Sequence, residues 1–153
     1  MNRLFATAFA LAFVSPLSAQ TTAPVDLSYA TPLPGNWSYV PAAAGGEANF
    51  ADTSGRVQLS IRCVRATRRL AISKPVNGAV PNLTIWTSSA TRSLPASFNP
   101  ATGRASADVA ATDPLLDAMT FSRGRIAISS AGVPALVLPP WPEVARVIED
   151  CRA

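Results

Sequence analysis

Two cysteines, nine carboxylates and a run of arginines hold most of the reactive chemistry open to this chain, which has no histidine. Without imidazole, the usual general base and the commonest metal ligand are both missing. A thiolate nucleophile needs an activating neighbour, and the sequence offers none to Cys63 or Cys151. Asp113 and Asp117 lie four apart on a segment that reads as a short helix. Asp113 reads as its cap and Asp117 as a solvated surface residue. Asp108, Asp113 and Asp117 do not follow a calcium-loop spacing. Glu149 and Asp150 are adjacent, so a helix points them apart. Gly-x-Ser-x-Gly is absent, and no Ser-x-x-Lys leads to Lys74, because position 71 is alanine. Gly45-Gly46 stands alone and makes no phosphate loop. The chain is therefore expected not to be an enzyme and to carry no metal and no cofactor.

Arg62, Arg65, Arg68 and Arg69, with Lys74, form the densest positive stretch, and Lys74 is the one lysine in the chain. One reading makes these residues a solvated strand edge whose charges discourage edge-to-edge pairing. The other makes them a contact patch for an acidic protein, a polysaccharide or an anionic membrane surface. The net charge of +4 is too mild for the dense basic stripe of a nucleic-acid binder.

The N-terminus, MNRLFATAFALAFVSPLSAQ, reads as an export leader. Arg3 supplies the positive start, Leu4 to Val14 the uncharged apolar run, and Pro16 to Ala19 the cleavage region with the cut after Ala19, giving a signal peptide over residues 1–19. The run is shorter than the roughly 20 apolar residues of a membrane span, and no later segment qualifies. Loss of Arg3 lowers the net charge by one. The expected location is the periplasm or the exterior. In an oxidising compartment two cysteines are most simply a disulfide, which pairs Cys63 with Cys151.

The elements that would position this pair are the clearest in the chain. In RVQLSIRCV, 56–64, Val57, Leu59, Ile61 and Cys63 share one face of a strand, with Gln58, Ser60 and Arg62 on the other. In PEVARVIEDC, 142–151, Val144, Val147, Ile148 and Cys151 share one face of a helix. Each period puts a cysteine on the apolar side, so a bridge would pin the closing helix onto the sheet. It would also restrain a last turn whose Glu149 and Asp150 oppose the helix dipole. Between them, RLAIS, LTIWTSS, SLPASF, RASADVA, GRIAIS and ALVLP read as strands, and Asp113-Pro114 opens a short helix. Residues 20–35 read as a flexible lead-in and 41–55 as loop. GRVQLSI, RRLAISK and GRIAISS share one pattern, which is taken as three strands obeying the same alternation.

Trp37, the Arg62-Cys63 strand, Trp86 and the helix ending in Cys151 give a layout that resembles uncharacterised exported proteins of alphaproteobacteria. It is similar to type VI secretion-associated periplasmic proteins and, more loosely, to the invasion-associated locus B family. The resemblance spans Trp37 to Cys151 and implies a β-sandwich-like periplasmic body without catalytic residues. Only Cys63 and Cys151 carry over, as a structural pair.

The expected fold is mainly β: six to eight short strands in a small sandwich or open barrel, with a short internal helix and a C-terminal helix tied by the disulfide. Residues 36–153 form the single domain. The expected function is non-enzymatic binding of another envelope or secreted protein. The alternatives are an inhibitor of an envelope hydrolase such as a lysozyme, using a loop at 74–82 or 99–104, and a hydrolase with an unrecognised Ser/Asp site.

Overall fold

The computed structural model describes residues 26–153, so the expected leader and the first part of the lead-in lie outside the described residues. In chain order the strands are β1 (Gly35–Val40), β2 (Glu47–Asp52), β3 (Val57–Val64), β4 (Arg69–Pro75), β5 (Asn82–Trp86), β6 (Thr91–Pro95), β7 (Ser97–Asn99), β8 (Arg104–Ala110), β9 (Ile126–Ser130) and β10 (Val133–Leu138). Helix α1 (Pro114–Thr120) joins β8 to β9, and α2 (Pro142–Arg152) closes the chain. Strands β1-β2-β3-β4-β8-β7 form a six-stranded sheet and β10-β9-β5-β6 a four-stranded one. All pairings are antiparallel. The architecture is mainly β and sandwich-like, with ten strands in place of the expected six to eight.

The two-residue period of a strand decides what is buried. Leu59, Ile61 and Cys63 of β3, Leu70 and Ile72 of β4, and Ala105, Ala107 and Val109 of β8 all turn to one side of the larger sheet. There they join Leu83, Ile85, Ile126, Ile128 and Leu138 of the smaller sheet in one core. Trp37 anchors β1 in that core. Its ring meets Phe50 edge-on, 5.5 Å between centroids, and its indole N–H donates to the Pro139 carbonyl at 2.8 Å.

Both helices form as their end signals dictate. Asp113 accepts from the Leu115 amide at 2.9 Å and Pro114 occupies the first turn, so Leu115, Leu116 and Met119 face inward. Helix α2 buries Val144, Val147, Ile148 and Cys151 against strands β1 to β4. The Cys63–Cys151 disulfide joins helix to sheet with Cα atoms 5.4 Å apart and a sequence separation of 88. The acidic last turn has further partners. Tyr39 donates its hydroxyl to Asp150, while Arg152 pairs with Glu149 at 3.0 Å and with Asp117 at 2.8 Å.

Two stretches depart from the sequence reading. Residues 41–55 contain β2 rather than loop alone. Its Ala-Asn-Phe-Ala core has weak strand propensity, and pairing with β1 on one side and β3 on the other supplies what propensity lacks. The strand expected at 93–98 breaks at Ala96, whose amide donates to the Pro81 carbonyl. β6 stays in the smaller sheet and β7 joins the larger one, so the chain changes sheets there. The described end of the lead-in is bonded to the body: the Leu33 amide donates to Val137 O on the edge strand β10, and Arg125 donates to Ala30 O at 2.7 Å.

Candidate functional site

The core covers one face of the six-stranded sheet, and its other face carries the candidate site. Because β-sheet side chains alternate, the register of neighbouring strands lines up what points outward. Ser38 lies opposite Asn49, Asn49 opposite Ser60, Ser60 opposite Ser73, Ser73 opposite Ser106, and Ser106 opposite Ser97. One row of hydroxyl and amide side chains thus crosses all six strands without a gap. Five interstrand steps of about 4.8 Å make the row about 24 Å long.

Two residues further along the strands the side chains lengthen. Glu47, Arg62 and Asp108 stand on one flank, Gln58 and Arg104 on the other. A short row between longer ones is a trough, and two shallow cavities lie along it. One, about 300 Å³, is bounded by Glu47, Ser60, Arg62, Ser73, Arg104 and Ser106. The other, about 470 Å³, shares Ser106 and extends to Arg69, Ser97 and Asp108. A further cavity, about 350 Å³, lies beyond the Glu47–Arg62 flank and reaches Val40, Ala44 and Val64.

Arg104 is tied to the floor of the trough. It donates to Ser73 O at 2.8 Å, Val57 O at 3.1 Å and Ser73 Oγ at 3.3 Å. Burial draws its guanidinium below the ordinary value and the Glu47 carboxylate opposes that shift, leaving it fully charged at any ordinary pH. Ser60 donates to Asn49 Oδ1, which orders the next step of the row. The salt bridges among the described residues are Arg56–Asp52, Arg92–Asp113, Arg152–Asp117 and Arg152–Glu149. Arg62, Arg69 and Arg104 take part in none of them.

The contact patch expected from sequence divides. Arg62 stands on the flank of the trough and is exposed. Arg69 begins β4, four residues from Ser73 and beyond the Arg62–Asp108 flank, and donates to Asp108 O at 3.1 Å. Arg65 and Arg68 sit on the 3-10 turn that joins β3 to β4 past that flank, with Arg68 in a left-handed conformation (φ 50°) and bonded to the Arg152 carbonyl. Lys74 does not join them. It alternates with Ser73, falls on the core face and is 4 % exposed, and burial pulls its ammonium below the ordinary value.

Sequence reasoning missed Arg104 and the serine row. The shared pattern of GRVQLSI and RRLAISK held part of the signal, since it places Ser60 and Ser73 on the outward face of their strands, where they pair directly. The remaining candidates serve structure. Asp113 is a cap and pairs with Arg92 at 2.7 Å, and Asp117 pairs with Arg152. Ser54 donates to Asp52 at 2.6 Å in an exposed turn. Among the described residues no group of three His, Cys, Asp or Glu side chains is placed to hold a metal, and no helix is long and apolar enough to cross a membrane.

No protein-family model, curated protein or solved structure matches this chain.

Proposed function

We propose that this chain is a non-enzymatic binding domain of the periplasm or the exterior, and that the outer face of its six-stranded sheet is the docking surface. The observation that carries this reading is the trough itself, a row of short polar side chains crossing six paired strands, walled by arginines outside any ion pair. A rigid sheet suits recognition because its side chains are held before the ligand arrives, which lowers the ordering cost of binding. The leader-like N-terminus supports export. So does the disulfide, a bond that persists outside reducing compartments.

The test is capture from an envelope extract followed by mapping. The protein is used as bait, and its contact surface is read by hydrogen exchange in the complex. Protection centred on β3, β4 and β8 supports the docking face. Protection confined to the smaller sheet or the helices removes it.

A second reading is inhibition of an envelope hydrolase such as a lysozyme. One observation favours it: the Val76 amide donates to Gly103 O at 2.9 Å, so the loops after β4 and after β7 are fixed side by side. Absence of inhibition of peptidoglycan hydrolases at micromolar protein removes this option.

A further inference from the structure

We infer that the trough binds an acidic polysaccharide, a hydroxyl-rich chain carrying carboxylates. This inference rests on the docking-face reading and gives it a ligand class. Three features of the face point the same way. The floor is made of Ser60, Ser73, Ser106 and their row neighbours, and a serine hydroxyl both donates and accepts. A sugar chain presents hydroxyls of the same dual character at regular intervals, so a straight row of such groups can meet one residue after another.

The walls supply the charge. Arg62, Arg69 and Arg104 have no carboxylate within salt-bridge distance among the described residues. Arg62, whose side chain makes no hydrogen bond among the described residues, presents a free planar fork suited to a carboxylate, while Arg104 is held by Ser73, Val57 and Ser60 and adds its charge from the floor. Glu47 and Asp108 also stand on this flank. They leave the face weakly cationic, so the arginines discriminate among ligands without making the face a general trap for anions.

The third feature is what the rows do not contain. Protein interfaces draw most of their energy from buried aromatic and apolar anchors, and no aromatic side chain lies in the serine row or in the rows flanking it. That composition speaks against an acidic protein. It also speaks against a neutral glycan, which would gain from stacking on an aromatic platform. Serine, asparagine and alanine are short and fill little of the space above the sheet, so this composition keeps the trough open.

The experiment titrates the purified protein with hexagalacturonate, with cellohexaose as the neutral sugar and polyglutamate as the acidic polypeptide. Amide NMR shifts give the surface and calorimetry the affinity. Hexagalacturonate is expected to shift residues 58–62, 71–73 and 104–108, and cellohexaose to bind at least tenfold more weakly. Arg62→Glu reverses an exposed charge and Ser106→Gln fills the trough. Neither replaced side chain makes a hydrogen bond within the body, so both variants are expected to fold and to lose tenfold or more in affinity. Arg123→Glu makes the same charge change on a loop outside the trough and is expected to lose less than twofold.

Equal weakening by Arg123→Glu overturns the inference in favour of diffuse charge attraction. Shifts on this face with polyglutamate but not with hexagalacturonate overturn the polysaccharide and leave the docking face standing. No shift there with any probe, together with a captured envelope partner protected elsewhere, overturns both.

Discussion

Lys74 and Asp113 show how a single residue's setting decides its role. Lys74 occupies an inward position opposite Ala105 of β8 and is almost fully buried. Its ammonium is penalised there, because desolvation disfavours the charged form. The folded value falls below the ordinary 10.5, so the unfolded chain holds the proton more tightly. Stability therefore rises with pH through the interval below 10.5. Lys74→Met keeps the volume and removes the charge. Urea unfolding is expected to show a higher midpoint for this variant at neutral pH and a flatter alkaline dependence. Asp113 behaves oppositely. The hydrogen bond from Arg92 is the main cause that holds its carboxyl below the usual range, and the Leu115 amide adds to it. Asp113→Ala should cost about 1 kcal/mol at neutral pH through the lost cap. The wild-type advantage is full above the unfolded aspartate value of about 3.9 and fades as pH falls through the lower folded one. Denaturant midpoints at neutral and acid pH check this.

Strand β3 and helix α2 were legible as elements because each repeats its apolar residues at its own period over a long enough segment. Strand β2 was not. Its residues alternate, but alanine and asparagine give little contrast between faces, and two flanking strands make up the difference. The approach to β2 depends on Gly45, which has φ +125° and lies against Cys63 so closely that a Cβ would meet the Cys63 carbonyl. Gly45→Ala is thus strained in backbone and in space. It is expected to destabilise by more than about 1 kcal/mol and to loosen the β2–β3 pairing, which amide exchange of Glu47 to Phe50 and of Leu59 to Cys63 would reveal. Unchanged exchange at those amides would show that the close approach is dispensable. The split of 93–98 between β6 and β7 had no local signal, since the bond from the Ala96 amide to Pro81 O continues the β5–β6 register and only beyond it does the chain pair with β8 of the other sheet.

At the scale of the whole molecule, the disulfide closes 88 residues of chain, from the third strand to the last helix. Chain-entropy arithmetic for a loop of that length gives up to about 5 kcal/mol, with observed values typically about 2–4. Because α2 rests on four strands of the larger sheet, its release should weaken the sheet as well as the helix. Cys63→Ala with Cys151→Ala, or reduction, is expected to lower the thermal midpoint in one cooperative step seen alike by far-UV circular dichroism and tryptophan fluorescence. A helix signal lost ahead of the fluorescence would show that α2 is an appendage and not part of the core. The same sheet presents its outer face to solvent, so loss of the bridge should weaken ligand binding only as far as it unfolds the protein.

Sequence by itself determined the β class, the two short helices, the inward set of β3 and α2, and the pairing of Cys63 with Cys151. All of these follow from periodicity within one segment or from having two cysteines and one way to join them. Tertiary structure alone decided the division into two sheets, the removal of Lys74 from the arginine patch and the arrival of Arg104 beside Ser60 and Ser73. It also decided the row from Ser38 to Ser97. The reason is register: which residues of different strands lie opposite one another is set by the pairing of distant segments, and no local pattern records it.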